Sequence, residues 1–463
     1  MCRREKAPAI SRRSLLRTMG AVAGGALFSA AGCGGNASQS TSASSESAWP
    51  PNLPVGTFSP SAADESFLDE IEQQGCLYFW EQASPDNGQV LDHAGYDLNG
   101  AMDTSTNESS IAATGFGLSA LCIAGQRGYL PQAQIIERVQ TTLDFYLNSM
   151  PNENGFFYHF NDVNTGQPLS GSEVSSIDTS ILICGALTAR AYFNDATITS
   201  LATQIYERVN WPWMLNGQST FAEAWYPSSG FGPYYYNTYC ELMMLYLLAI
   251  GSPTHPIAPS YWNNFSRPLL TYEGYTYISS NSDPLFTQQY SQAWFDFRNV
   301  ADAYANYFNN SITATQAHET FCLGYPSPQD PWYTQDYWGI TSSDYVGGYT
   351  AWGGPPAQGP IDGTVVPCAA AGSLPFLPNE CLSMLEALKA DWGGSGAWRR
   401  YGFVDAFHPS ANWYCQDVLG IDQGISVLMA ENLRTGLIWT TFMSNPECAQ
   451  AMQLVGFKPQ NAS

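Results

Sequence analysis

Residues 401–439 read YGFVDAFHPSANWYCQDVLGIDQGISVLMAENLRTGLIW, and this stretch decides the fold. Its first half is irregular and aromatic-rich, with Phe403, Phe407, Trp413 and Tyr414, and it carries Asp405, His408, Asn412 and Asp417. Gly420 breaks what precedes, and Asp422 is placed to cap the open N–H groups of a helix that starts there. From Ile421 to Trp439 only Asp422, Gln423, Glu431, Asn432 and Arg434 are strongly polar. A helix that is apolar all round is buried on every side. Its acidic end must then face a partner or a ligand cavity. The stretch reads as the last inner helix of a barrel, with its N-terminus at the mouth of the site.

Working outward, the same alternation recurs along the chain. Segments rich in Gly, Ala and Ser run over 109–126, 176–193, 238–250, 287–305, 364–372 and 421–439. More polar amphipathic segments run over 65–82, 131–149, 197–210, 258–270, 313–321 and 379–392. Six pairs in irregular repeat are the mark of stacked helical units. Small residues let inner helices approach closely, and amphipathic partners cover them with one stripe turned inward. The expected fold is all-α, an (α/α)6 barrel of six inner and six outer helices. It is weakest in the fourth and fifth pairs, where Pro367, Pro375 and Pro378 shorten the helices.

The ends of the chain read differently. Residues 1–32 are expected to be a leader, because Ser11-Arg12-Arg13-Ser14-Leu15-Leu16-Arg17 resembles a twin-arginine export signal. The apolar run from Met19 to Ala31 is too short to span a bilayer. Ala30-Ala31-Gly32-Cys33 resembles a lipobox, which makes Cys33 the lipidated N-terminus and the lipid the membrane anchor. Residues 33–60, rich in Ser, Ala and Pro, suit a flexible tether, and 61–463 would form a single domain. Nine cysteines remain after Cys2 and Cys33. Cys122, Cys184 and Cys240 sit in apolar runs as small core residues, and Cys368 with Cys381 is the expected disulfide. No spacing suggests zinc.

Composition excludes nucleic acid. The leader holds six basic residues and one acid, which leaves 11 Lys+Arg against 39 Asp+Glu, about −28. Such a surface repels a polyphosphate. The 14 Trp, 27 Tyr and 23 Phe raise the expectation of a neutral glycan, whose C–H faces stack on aromatic rings, although many of these side chains simply fill a large core. With so few bases, most carboxylates repel one another. The chain is expected to be a monomer adapted to acid and most stable at about pH 4 to 5, near its sequence pI of about 4.3.

Alternating inner and outer helices put every inner N-terminus at one end. There the sequence places Glu108, Glu173, Asp178, Glu241, Asp344, Asp405, Asp417 and Asp422. Any single one is an ordinary cap worth about 1 kcal/mol. Acids on five inner helices are harder to explain by capping, since Ser, Thr and Asn would serve equally. Tyr158, Trp225, Tyr236, Trp338 and Trp413 in the loops between them are candidate cleft walls. Two carboxyl groups across a cleft are what hydrolysis of a glycosidic bond requires.

Several runs carry a resemblance to a known family. They are SSIAATGFGLSALCIAGQRGYL from Ser109, GFFYHFND from Gly155, SEVSSIDTSILICGAL from Ser172, YNTYCELMMLYLLAIGSPTHPI from Tyr236 and PLFTQQYSQAWFDFRN from Pro284. WGITSSD from Trp338, AAAGSLPF from Ala369, GFVDAFHPSANWY from Gly402 and GIDQGISVLMAENLRTGLIW from Gly420 complete the set. In this order the chain resembles the bacterial glucoamylase-like proteins that include the endo-β-1,2-glucanases of glycoside hydrolase family 144. The resemblance implies an (α/α)6 barrel that hydrolyses β-1,2-glucan to sophoro-oligosaccharides with inversion, without metal or cofactor. It implies Glu241, in Tyr239-Cys240-Glu241, as general acid. Asp422 is then the base, with Asp178 its rival. Glu173, Tyr158, Trp225, Tyr236, Gln289, Arg298, Trp338, Asp344, Asp405, Trp413 and Gln423 become sugar contacts or their supports. Two other readings stay open: an exo-acting or α-glucan-cleaving relative, and a non-catalytic glycan-binding lipoprotein.

Overall fold

A computed structural model of the chain describes residues 58–327 and 332–460. The leader, Cys33 and the tether up to residue 57 lie outside the described residues. The helices are α1 (Ala62–Glu81), α2 (Ile111–Arg127), α3 (Gln132–Asn148), α4 (Ser176–Phe193), α5 (Ala196–Glu207), α6 (Trp211–Met214) and α7 (Met243–Gly251). They continue with α8 (Phe286–Gln289), α9 (Tyr307–Gly324), α10 (Pro367–Ala371), α11 (Pro378–Trp392), α12 (Gly420–Arg434), α13 (Leu437–Met443) and α14 (Pro446–Leu454).

The division into inner and outer helices is visible in burial. In α2 every residue from Ile111 to Ala124 is buried, and all nine residues of α7 are buried. By contrast α3 buries only Ile135, Val139, Thr142, Leu143 and Tyr146, a single stripe at helical spacing. Inner helices meet through small residues. A Cβ added to Gly185 of α4 would stand 2.0 Å from the carbonyl oxygen of Gly115 in α2, so only glycine permits that crossing. The last inner helix closes the ring by packing on both α1 and α2. At this seam Gly424 lies against Phe116, and Gly75 against Val427. The inside is filled by Phe116, Tyr290 and Trp294, whose ring N–H donates to Ser119 Oγ at 2.9 Å.

The far end of the seam, where α12 ends, holds a buried ionic cluster. Glu72 and Glu431 have fully buried side chains. Arg127 pairs with Glu431 at 2.7 Å, and Arg434 pairs with Glu72 at 2.5 Å and with Glu65 at 3.0 Å. Burial, with Glu431 beside it, pushes the Glu72 carboxyl well above its ordinary range.

Several expectations move. Asp422 is not a cap: α12 starts at Gly420, Leu419 is its N-cap without a side-chain bond, and Asp422 lies in the first turn. The helix also stops at Arg434, and residues 437–439 belong to α13. The wall is helical, but the rim carries small antiparallel ladders with strands of at most four residues. The helix expected over 258–270 is replaced by a 3-10 turn, Pro259–Asn263, and a hairpin of Leu269–Tyr272 with Tyr275–Ile278. Pro268 blocks a helix there, and Glu273 and Gly274 at φ 46° and 90° make the tight turn that such hairpins use. The fourth inner element is only α8 and the 3-10 turn Tyr290–Ala293. The fifth is short too: Pro367 and Pro378 sit in the first turns of α10 and α11, where a missing N–H costs nothing. Cys368 and Cys381 are not bonded; no disulfide forms among the described cysteines, all of which are buried. Cys381 lies on the inward stripe of α11 as a small core residue. Among the described residues no helix is long and apolar enough to cross a membrane.

Candidate active site

The rim ladders tie the N-termini of the inner helices to one end. The strand Glu108–Ser110 leads into α2 and pairs with Phe160–Asp162, while His93–Gly95 pairs with Asp417–Leu419, which leads into α12. Val174–Ser175 leads into α4 and pairs with Ala224–Tyr226. Ser110 and Ser175 cap α2 and α4 with their hydroxyls. Residues 221–236 then bring the chain to Glu241, in the turn before α7, whose carbonyl accepts from Ser291 Oγ at 2.6 Å. Phe407 bridges to Val365 just before α10. All eight acids expected at inner N-termini lie on this end or in its loops.

Two constellations stand out. In the first, His159 lies between two carboxylates: Nδ1 is 3.0 Å from Glu173 Oε1 and Nε2 is 3.6 Å from Asp178 Oδ2. Its ring stacks on Phe160 at 3.7 Å between centroids. Burial disfavours the imidazolium, but Asp178 and Glu173 outweigh it and raise the pKa to about 9. In return, burial would raise the Glu173 carboxyl, and the His159 charge more than cancels this, leaving it lowered. Asp178 also accepts from Ser175 Oγ at 2.5 Å. Tyr158 bridges to Val174, and Trp225 pairs with the same residue, so both aromatic residues flank this group.

The second constellation joins the fifth and sixth inner elements. The Asp344 N–H donates to Asp405 Oδ2 at 2.7 Å, and the Cys415 thiol donates to Asp344 Oδ2 at 3.5 Å. The Asp405 N–H donates to the carbonyl of Asp417, five residues before Asp422. Burial, with Asp405 and Asp344 nearby, pushes the Cys415 thiol far up, so it stays protonated. Glu241 and Asp422 are each 3% exposed. The ligand atoms of Asp344, Asp405 and Cys415 lie within 4.8 Å of one another, as do those of Asp92, His93 and Glu108. The carboxylates of either set offer oxygen atoms to a divalent cation and accept equally well from sugar hydroxyls.

The remaining expected contacts separate. Trp225 and Trp413 keep part of their surface exposed, while Tyr236 and Trp338 are enclosed in the wall. Gln289 donates to the Ala369 carbonyl and Ser373 Oγ, both at 2.8 Å, which braces α10. Gln423 donates to the carbonyl of Phe403 at 2.8 Å. Arg298 is at the wrong end. It is paired with Asp296 at 2.8 Å and lies 4.1 Å over the Trp439 ring, beyond the C-terminus of α12. Asp422 and Arg434 alone are separated by about 18 Å of helix. Reading the sequence missed His159, Asp92, His93 and Cys415; the run GFFYHFND held His159 in plain view.

Residues 233–446 match the family described as "Glycoamylase: Putative glucoamylase". An exo β-1,2-glucooligosaccharide sophorohydrolase (non-reducing end) of Parabacteroides distasonis is 27% identical over 436 residues, covering 85% of this chain. The chain spans 58% of that relative's length. The endo-β-1,2-glucanase of Chitinophaga pinensis, solved with sophorotriose and glucose, is 28% identical with a TM-score of 0.77, covering 86% of this chain and 99% of that one. A β-1,2-glucanase of Parabacteroides distasonis is 26% identical with a TM-score of 0.76, covering 87% of this chain and 61% of that one. The chain is thus similar to a glucoamylase-like family over residues 233–446, and along most of its length to bacterial endo- and exo-acting β-1,2-glucanases.

Proposed function

We propose that the chain is a glycoside hydrolase that cleaves β-1,2-glucan. The observation that carries the reading is the gathering of carboxylates at one end of the inner helices, in a chain that matches the Chitinophaga endo-β-1,2-glucanase along 99% of the latter's length. The likeness to that enzyme supports endo action and release of sophoro-oligosaccharides. The sophorohydrolase relative supports an exo-acting alternative.

In this reading six inner and six outer elements make an (α/α)6 barrel, the fourth and fifth pairs being abbreviated. Glu241 protonates the leaving oxygen and Asp422 activates the water that inverts the anomeric centre, with Asp178 as the rival base. Trp225 and Trp413 offer exposed ring surface for sugar faces. Residues 1–32 serve as the export leader, Cys33 carries the lipid at the periplasmic or outer cell surface, and 33–60 tether one monomeric domain of residues 61–463. Purified protein incubated with linear β-1,2-glucan and with starch, its products resolved by length, tests the proposal. Early release of mixed sophoro-oligosaccharides from β-1,2-glucan is expected. Disaccharide alone indicates exo action, glucose from starch an α-glucanase, and no product a binding protein.

A further inference from the structure

Two carboxylates on one imidazole pose a proton-counting problem. A neutral ring has one N–H, so it can donate to only one neighbour, and its other nitrogen would turn a lone pair toward the second carboxylate. In this chain Nδ1 meets Glu173 at 3.0 Å and Nε2 meets Asp178 at 3.6 Å, with the ring buried. Only the imidazolium, with a proton on each nitrogen, is attracted to both.

We propose that His159 is a positioning residue, a buried imidazolium held between Glu173 and Asp178 that fixes both carboxylates on the rim as acceptors for sugar hydroxyls and keeps Glu173 ionised. The role rests on the rim being a glucan site, as argued above, but the charge state does not. Three anchors fix the arrangement. The His159 N–H donates to the Glu173 carbonyl at 2.8 Å, the His159 carbonyl accepts from Ile111 at the start of α2, and Ser175 holds Asp178 from the α4 cap. The cation therefore links the first turns of two inner helices. The charged groups acting on it are Asp178 and Glu173 directly and Asp92 from the segment before His93–Gly95, Asp92 being itself paired with His93 at 3.2 Å. The ring's raised pKa, about 9, agrees with this geometry.

The consequence appears in acid. As pH falls, the Glu173 carboxylate would ordinarily take up a proton and stop accepting from hydroxyls. With a fixed positive charge beside Glu173, that loss is moved to lower pH.

The test has two arms. Wild-type protein labelled at histidine Cε1 has five histidine signals to follow, and His159→Gln identifies the one that disappears. That signal is expected to titrate near pH 9; titration at or below about 6.5, the ordinary range, overturns the proposal without any need for a variant to be active. In the second arm, KM and kcat of wild type and His159→Gln are measured from pH 3 to 9 on linear β-1,2-glucan. The acid-side rise in KM should move up by about one pH unit or more in the variant, with a smaller change in kcat near pH 7. An unmoved KM limb in a folded, active variant overturns the positioning role. If no glucan is turned over but the signal titrates near 9, the glucanase reading fails while the charge assignment stands.

Discussion

The crossing of α2 and α4 sets two opposed effects against each other in a single substitution, Gly185→Ala. Within a helix, alanine is favoured over glycine by about 0.8–1.0 kcal/mol. Here the new Cβ would stand 2.0 Å from Gly115 O and 2.7 Å from Gly115 C, whereas real Cβ atoms essentially never come within 3.0 Å of a neighbour. The obstructing atoms are backbone, so a whole helix must give by about 1 Å, and no rotamer change relieves it. Overpacking of a dense core costs about 1–3 kcal/mol, and a rigid backbone neighbour puts this case at the upper end. The net expectation is a loss of about 2 kcal/mol. With an unfolding entropy of about 2.1 cal/mol/K per residue over roughly 400 residues, that lowers Tm by about 2–3 °C. Differential scanning fluorimetry and calorimetry resolve such a shift. Gly394→Ala serves as the control, because nothing lies within 4 Å of its added Cβ, and it should stay within about 0.5 kcal/mol of wild type. A Tm for Gly185→Ala that rises by a degree would mean that propensity wins and that the helices are not in contact there.

Glu241→Gln and Asp422→Asn should each lower kcat by orders of magnitude on β-1,2-glucan with the fold intact, and retention of more than about a tenth of wild-type kcat, a barrier change under about 1.4 kcal/mol, refutes the assignment. Arg298→Ala should lower Tm but leave KM near wild type, because its partners are Asp296 and Trp439 rather than the rim; a KM raised tenfold would return it to the site. The pH profile of stability has opposing contributors. Glu72 and Asp283, raised by burial, and His159, raised to about 9, contribute stability at low pH that is lost as pH rises through their folded pKa values. His318, buried and lowered to about 4, opposes them, since the unfolded chain takes up its proton between about 6.5 and 4. The maximum is therefore expected at about pH 5 to 6, somewhat above the value composition suggests, and a maximum at pH 7 or higher in low salt would contradict it. Cys33→Ser should release the exported protein from the membrane fraction; unchanged sedimentation with membranes would point to another attachment.

Where local chemistry and tertiary packing agree, the sequence was enough. The span 176–193 is recovered residue for residue because Ser175 caps α4 and Asn194 ends it in the left-handed conformation. The small-residue runs were legible for the same reason: their glycines stand where helices touch. The hairpin at 269–278 was also written locally, as LLTY, a tight-turn EG and YTYI, but the expectation of a sixfold repeat overrode its period of two. The early end of the fourth inner element was not local at all, since the chain leaves the helix where Trp294 reaches Ser119 on α2. That acids stand near the starts of the inner helices was legible because position relative to a helix start is a one-dimensional property. His159 was not, because its partners come from separate elements, 14 and 19 residues further on, and nothing beside it in sequence marks the pairing. Arg298 is the opposite case: its partner Asp296 stands two residues back, so the pairing that holds it away from the rim is local in the sequence.

The seam between α12 and the first two helices has a consequence for how the protein is made. Glu72 and Arg434, joined at 2.5 Å, are separated by 362 residues. At about 5–20 residues per second of synthesis, the second arrives roughly 20 to 70 seconds after the first. For that interval the faces of α1 and α2 that will receive Gly424 and Val427 have no native cover, and the charges at Glu72 and Arg127 lack Glu431 and Arg434. Ring closure is thus a late event of high contact order. A nascent chain stalled before residue 420 should be held by chaperones or degraded, whereas one released after residue 434 can close.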